Sequence, residues 1–309
     1  MSVLGFAPTT VHRYQKLMQY VEETTFGTTP SSATFVDASV INSTHTTYDN
    51  ISEVYRKLGR RTMYKYIKMG TAFPFSVSFS PVSTTLIRYG TELGNSAGTL
   101  TGTVDKSLTF VNSIFANSAG TLTEYFIIRK GCKCDSVTVS TSSRGMVTVD
   151  MDWIAADIPK PVTTANGGLT TPTFVASPTT LTPWSNLTGG SSKLSLDGTI
   201  YPFKNASFTV NNNLDPVDID GTSAIQGLEP TVKESTFECE LVVLKDQAIE
   251  TAIEAGSSMA LILTLNSTGP KTATGNVFFN HKEEDDASDE TKVRTVKYSG
   301  QVDDITVTA

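Results

Sequence analysis

One pattern is stated twice in this chain. Phe73, Phe75, Val77 and Phe79 alternate with small or polar residues and lead into a short helical segment ending at Gly94. Phe237, Cys239, Leu241 and Val243 alternate in the same way, each 164 positions later, and lead into a second such segment ending at Gly256. Alternation with a period of two marks a strand with one buried face. A repeat of strand and helix, with no catalytic constellation in either copy, predicts a duplicated, mostly β protein whose work is shape and self-association.

At 309 residues the chain can form two ordinary domains, and the duplication predicts two. The first unit, with an N-terminal arm, is expected over 1–160, a connection rich in Pro, Gly and Thr over 161–183, and the second unit over 184–309. Strands are predicted in the first half at Ala72 to Ser80, Lys106 to Val111, Thr123 to Arg129, Lys133 to Thr141 and Met146 to Ile154. In the second half they are predicted at Lys193 to Leu196, Ala206 to Asn211, Ser235 to Leu244, Met259 to Leu265, Asn276 to His281, Lys292 to Tyr298 and Val302 to Thr308. Two helices of about three turns punctuate this pattern, one capped by Ser83 and carrying Leu86 and Tyr89, the other opening at Asp246 with Ile249 and Ala252. Each is too short to stand alone and must lie on a sheet. Ser43 to Thr62 and Asn211 to Glu234 read as long irregular loops at corresponding places, and so as contact arms ordered by a neighbouring subunit.

Composition excludes several function classes. The net charge of −7 disfavours tight, sequence-independent nucleic-acid binding, which rests on neutralised phosphates. No apolar run approaches the ~20 residues of a membrane helix, and the first residues do not read as a secretory signal, so assembly in a cytoplasm is expected. Cys132, Cys134 and Cys239 are too few for a disulfide framework or a tetrahedral metal site and read as buried small hydrophobes. Glu22 with Glu23, and Asp303 with Asp304, are neighbours on strands and point to opposite faces, which makes them poor acid–base pairs. No G-x-S-x-G elbow or phosphate-binding loop occurs. We expect no enzyme, no cofactor and no metal. Five Asn-x-Ser/Thr triplets, from Asn42 to Asn266, are what chance produces in such a composition.

Charge clusters mark candidate contact surfaces. The stretch EVYRKLGRRTMYKYIK carries Tyr55, Arg56, Lys57, Arg60 and Arg61, and the stretch KEEDDASDE carries Glu283, Glu284, Asp285 and Asp286 as a counterpart of opposite sign. With Asn213, Leu214 and Asp215 of the second loop, these are the residues expected at contacts between subunits, with the arginines away from any channel.

Five segments, in order along nearly the whole chain, resemble the tail tube proteins, or major tail proteins, of long-tailed bacterial and archaeal viruses. They are YVEETTFGTTP (Tyr20 to Pro30), GCKCDSVTVSTSSRGMVTVDMDWIAADIP (Gly131 to Pro159), YPFKNASFTVNNNLDPV (Tyr201 to Val217), GLEPTVKESTFECELVVLKD (Gly227 to Asp246) and YSGQVDDITV (Tyr298 to Val307). The resemblance implies a β-sandwich or half-barrel unit with a flanking helix, here in two tandem copies. It also implies rings in which sheets join into a β-barrel channel, stacked into a tube. Six units per ring are usual in that family, so three chains of two units would form a pseudo-hexameric trimer. The implied partners are further copies of the chain and other tail proteins, with viral DNA passing the bore without specific binding and no membrane. The implied location is the virion tail, assembled in the host cytoplasm. A surface adhesin or carbohydrate-binding β-sandwich, and the tube component of a contractile injection system, are the rival readings.

Overall fold

The computed structural model describes residues 15–30, 34–37, 40–46, 49–56, 63–91, 106–118, 121–143, 145–158, 184–185, 194–217, 225–242, 247–266, 271–284 and 295–308. In chain order the first half carries β1 (Gln15–Glu22), β2 (Val36–Asp37), β3 (Val40–Thr46), β4 (Asp49–Arg56), β5 (Met63–Ser80), α1 (Thr85–Thr91), β6 (Leu108–Ser118), β7 (Thr121–Ser142) and β8 (Thr148–Ala155). The second half carries β9 (Leu194–Leu196), β10 (Thr199–Ile200), β11 (Phe203–Asn211), β12 (Leu214–Val217), β13 (Gly227–Pro230), β14 (Glu234–Leu241), α2 (Gln247–Ala255), β15 (Met259–Asn266), β16 (Lys271–Glu284), β17 (Val296–Val302) and β18 (Thr306–Val307). The fold is mostly β.

Both halves lay their strands in one antiparallel order. In the first it is β2-β1-β6-β7-β8-β5-β3, and in the second β10-β9-β15-β16-β17-β14-β11. Both carry the helix between corresponding strands, α1 after β5 and α2 after β14. Even the bulges correspond. Asn42 is the extra residue of β3 opposite Phe79 and Ser78, as Lys204 is in β11 opposite Leu241 and Glu240. Asp135 bulges from β7 opposite Trp153 and Asp152, as Asn280 does from β16 opposite Gly300 and Ser299. Bulges re-aim strands and are built features, so matching them aligns the halves. Phe75 then corresponds to Phe237 and Ile87 to Ile249, an offset of 162 where alternation alone suggested 164. A slip of two residues keeps every side chain on its face, so alternation cannot detect it.

The halves are joined through β11, which pairs β14 on one edge and β7 on the other, from Asn205 opposite Ser142 to Asn211 opposite Ser136. One buried cluster runs through both halves. In the first, Phe110 packs edge-on against Trp153 at 4.9 Å and against Phe75 at 5.6 Å; in the second, Phe279 packs against Tyr298 at 5.8 Å and Phe237 at 6.3 Å. Both helices lie on this side of the sheet, burying Leu86 and Ile87 from α1 and Ile249 and Ala252 from α2. At Gly90 a Cβ would meet Val137 at 2.7 Å, so glycine sets how closely α1 approaches β7. Gly256, at φ 62, ends α2 as expected, with the Ser257 amide donating to Ala252 O.

Several expectations need correction. The described residues of Ser43 to Thr62 are strand, and those of Asn211 to Glu234 are largely so. β3 and β4 together follow β5 from Val40 opposite Ser80 to Arg56 opposite Met63, and β12 pairs β13 as a hairpin. Their backbone groups are satisfied by a ladder, which needs no hydrophobic alternation to form. Thr123 to Arg129 and Lys133 to Thr141 are parts of one 22-residue strand, β7, in which Gly131 at φ 62 supplies the irregularity. Asp303 to Ile305 separate β17 from β18, so the last two expected strands break later than alternation suggested. The carbonyl that opens α1 is that of Thr84, one residue after Ser83.

Candidate functional site

The face of the sheet opposite the helices is mostly polar in both halves, with Ile262 and Phe278 as exposed apolar exceptions in the second. Alternation puts Ser76 and Ser78 of β5, Asp150 and Asp152 of β8, and Ser136, Thr138 and Ser140 of β7 on this face, while the intervening residues are buried. From the second half come Ser207 and Thr209 of β11, Glu234, Glu238 and Glu240 of β14, and Lys297 of β17. This face is concave where β8, β7, β11, β14 and β17 pass one another, forming a shallow depression floored by residues such as Ser140, Ser207, Glu238 and Glu240.

Short polar contacts hold the surface in place. The Thr138 and Thr209 hydroxyls meet at 2.9 Å across the junction of the halves, and Ser136 Oγ donates to Asp152 at 2.8 Å. Glu240 receives Lys204 Nζ at 2.8 Å, Asn205 Nδ2 at 3.0 Å and Thr295 Oγ1 at 3.0 Å, and the Lys204 bond foremost holds its carboxyl below the usual range. Lys297 reaches Glu238 at 3.4 Å. Carboxylates outnumber these two lysines, so the concave face carries negative charge over a field of hydroxyls.

The second feature is a pair of hairpins at equivalent places. Asp49 opposite Ala72 corresponds to Asn211 opposite Glu234, and 22 residues lie between the partners in both cases, 50–71 and 212–233. The first hairpin continues as the paired strands β4 and β5, with bulges at Ile51/Ser52 and Tyr55/Arg56. The second breaks at Asn212, where the chain bends through Asn213 at φ 47. Asn212, fully buried, donates from Nδ2 to Gly90 O and Cys134 O, both at 2.9 Å, and its amide donates to the bulge carbonyl of Asp135 at 2.7 Å. The Leu214 amide donates to the Asp135 side chain at 2.8 Å. Lys233 at the far end donates to Thr91 O at 2.7 Å and pairs with Asp304, so both ends of the hairpin cover carbonyls at the C-terminus of α1. In between, the buried Lys133 donates to Leu228 O, and Leu228 and Ile225 pack on Ala72 and Ala156.

Of the residues expected at contacts, Asn213, Leu214 and Asp215 sit at this bend, and Leu214 is buried against the first half of the same chain. Tyr55 and Arg56 close β4, opposite Lys65 and Met63. Glu283 and Glu284 close β16, where Glu284 pairs with Lys282. Lys57, Arg60, Arg61, Asp285 and Asp286 lie outside the described residues. Sequence reasoning missed Asn212, Asp135 and the concave face. The signal for the face was present in the polar positions alternating with the buried ones.

The carboxylates of each pair take different partners, but not by strand alternation as expected: Glu23, Asp303 and Asp304 lie outside the strands. Glu22 takes Lys106 at 2.5 Å and Tyr89 at 2.7 Å, whereas Glu23 is buried and accepts from Ser107, Thr109 and the amides of Gly27 and Gly131. The Glu23 to Gly27 contact is what the E-x-x-x-G spacing of this segment builds. Asp303 accepts from Asn276, and Asp304 pairs with Lys233. All three cysteines are buried, and burial pushes each thiol above its ordinary range, which suits packing and not nucleophilic chemistry.

A family model described as phage tail tube protein matches residues 14–309. No curated protein matches the chain.

Proposed function

The chain belongs to the phage tail tube protein family, and we propose that it polymerises into the tube that conducts the genome out of the virion, with its concave polar face turned to the bore. The family role is structural, in the virion tail. The observation that carries the finer reading is the continuity of that face across two halves of identical strand order. A sheet that has already joined two equivalent units edge to edge needs four more to close a six-unit ring, so three chains per ring follow. Closure also removes open sheet edges, which otherwise invite uncontrolled pairing.

The face suits a conduit. Each phosphate held by a cation adds affinity and slows exit. Hydroxyls with surplus carboxylates repel the backbone of duplex DNA and let it slide. The basic residues of 55–61 then belong at subunit contacts or on the outside, with the acidic run after Glu283 as their partner on an adjacent copy.

Ser207→Cys tests the assignment. In the free chain this thiol should react with both a small maleimide and a bulky polymer-linked one. In assembled tubes the bulky reagent should be slowed at least tenfold while the small one still enters. Equal labelling by the bulky reagent in both states would remove the face from the bore, and electron micrographs showing rings of six full chains would overturn the stoichiometry.

A further inference from the structure

The cations of the concave face are confined to one half of the chain. Among the described residues of β8, β11, β14, β17 and the stretch of β7 that β11 pairs, they are Lys204 and Lys297, both in the second half. Each meets a carboxylate of β14. Lys204 Nζ reaches Glu240 at 2.8 Å, and Lys297 Nζ reaches Glu238 at 3.4 Å. Asn205 and Thr295 hold the Glu240 carboxyl from two further sides, and Glu283 of β16 stands opposite Lys297 across the other ladder. The lysine side chains are 62% and 48% exposed, so anything passing over the face comes within their reach.

The first half carries neither these lysines nor these carboxylates. In the alignment set by the bulges, Lys204 corresponds to Asn42, Lys297 to Asp150, Glu240 to Ser78 and Glu238 to Ser76. The carboxylates of the first half lie on β8 instead, among hydroxyls: Asp150 stands opposite Ser78 and Thr138, and Asp152 accepts from Ser136 at 2.8 Å. Cation and covering carboxylate thus occur together in one half and are both replaced in the other. Exposed ion pairs add little to stability, so fold stability does not account for the pairing. Lys133, further along β7, has no such carboxylate and is covered in another way: it is buried and donates to Leu228 O.

We infer, on the reading that this face lines the bore, that Glu238 and Glu240 are guard residues, which hold Lys297 and Lys204 in ion pairs so that neither takes a phosphate of the passing DNA. A free lysine that binds phosphate releases condensed counterions, and each such contact adds affinity. A lysine already held must first leave its carboxylate, and the carboxylate left behind repels the same phosphate. The two effects act in one direction, so neutralising a guard raises DNA retention by more than the loss of one negative charge elsewhere on the face. In a ring of three chains the pairs recur three times, and again in every ring, so a slight hold at each would add up along the tube.

Binding of a short fluorescent DNA duplex to the free chain, read by anisotropy at low salt, tests the guards. Glu238→Gln with Glu240→Gln should bind about tenfold tighter than the parent, with a log–log salt slope steeper by about 1.8, the mark of two further phosphate contacts. Adding Lys204→Ala and Lys297→Ala should abolish that gain. Asp150→Asn with Asp152→Asn removes the same charge where no lysine stands beside it, and should tighten binding by no more than about threefold. Equal gains in the two double variants, or a gain that survives loss of both lysines, would overturn the guards and leave net charge alone at work, while sparing the bore. In assembled tubes the Glu238→Gln, Glu240→Gln chain should release soaked-in duplex more slowly than the parent. Rapid labelling of Ser207→Cys in tubes by the bulky reagent would instead take the face out of the bore, and the guards' role in the conduit with it, whatever the free chain binds.

Discussion

The hairpins 50–71 and 212–233 are the same length, leave the sheet from equivalent pairs, and end up differently. One prolongs its ladder as β4 and β5, and the other folds back at Asn212 and Asn213 onto the first half of the same chain. The difference lies in what each finds beside it. The second hairpin emerges next to α1 and the β7 bulge, whose carbonyls at Gly90, Cys134 and Asp135 need donors, and it supplies them. The first emerges beside β3 at the outer edge of the sheet. Equivalent segments thus take their shape from unsatisfied backbone groups nearby, more than from their own residues.

The strongest challenge to treating the halves as one body is to truncate equivalent core residues. Phe75→Ala and Phe237→Ala each remove a buried aromatic and should each cost about 3–5 kcal/mol. Because both belong to one buried cluster, either change should shift a single urea transition, with tryptophan fluorescence and far-UV circular dichroism coincident. A second transition appearing in Phe237→Ala alone would make the halves separate folding units.

The bend itself can be broken more gently. Asn213 sits at φ 47, where a β-branched residue is strained, so Asn213→Val should cost about 1–2 kcal/mol in urea titration. Asn213→Gly keeps the backbone but loses the bond to Val232 O, so its loss should be the smaller of the two. Equal losses would mean that the side-chain bond, and not the backbone, makes this hairpin differ from its twin.

The smallest expected effect separates the halves of the concave face. Position 78 is serine where its equivalent, Glu240, is a carboxylate held below its ordinary range chiefly by Lys204. A depressed carboxylate stabilises the fold above the pKa of the unfolded chain, about 4.3, and that contribution is lost as pH falls through the lower folded value. Between pH 5 and 3 the parent should therefore lose slightly more stability than Lys204→Ala, measured by urea midpoint. A larger acid loss in Lys204→Ala would show that the lysine does not favour the ionised form.

Much of the second half could be read directly, because its core residues are large and its strands alternate cleanly. Strands β14 and β15 fall within a few residues of expectation, and Gly256 ends its helix as glycine should. The first half was harder: β3 and β4 are rich in Ser, Thr and Asn and read as loop. Asn212 was illegible for a different reason. Its side chain acts on carbonyls 122 and 78 positions away, and one asparagine in the run 211–213 looks like its neighbours until the fold brings those carbonyls to it.

The amino-acid sequence by itself determined the class, the duplication, the helix positions and which face of each strand is buried, since these follow from local periodicity and from residues with special backbone freedom. Tertiary structure alone decided that β11 fills the edge of β7, that the two hairpins part company, and that the polar faces join into one concave surface. The physical reason is that every residue but proline offers the same backbone donor and acceptor, so an edge carries no signature of its partner. Which strand satisfies it depends on what the rest of the chain has already brought alongside.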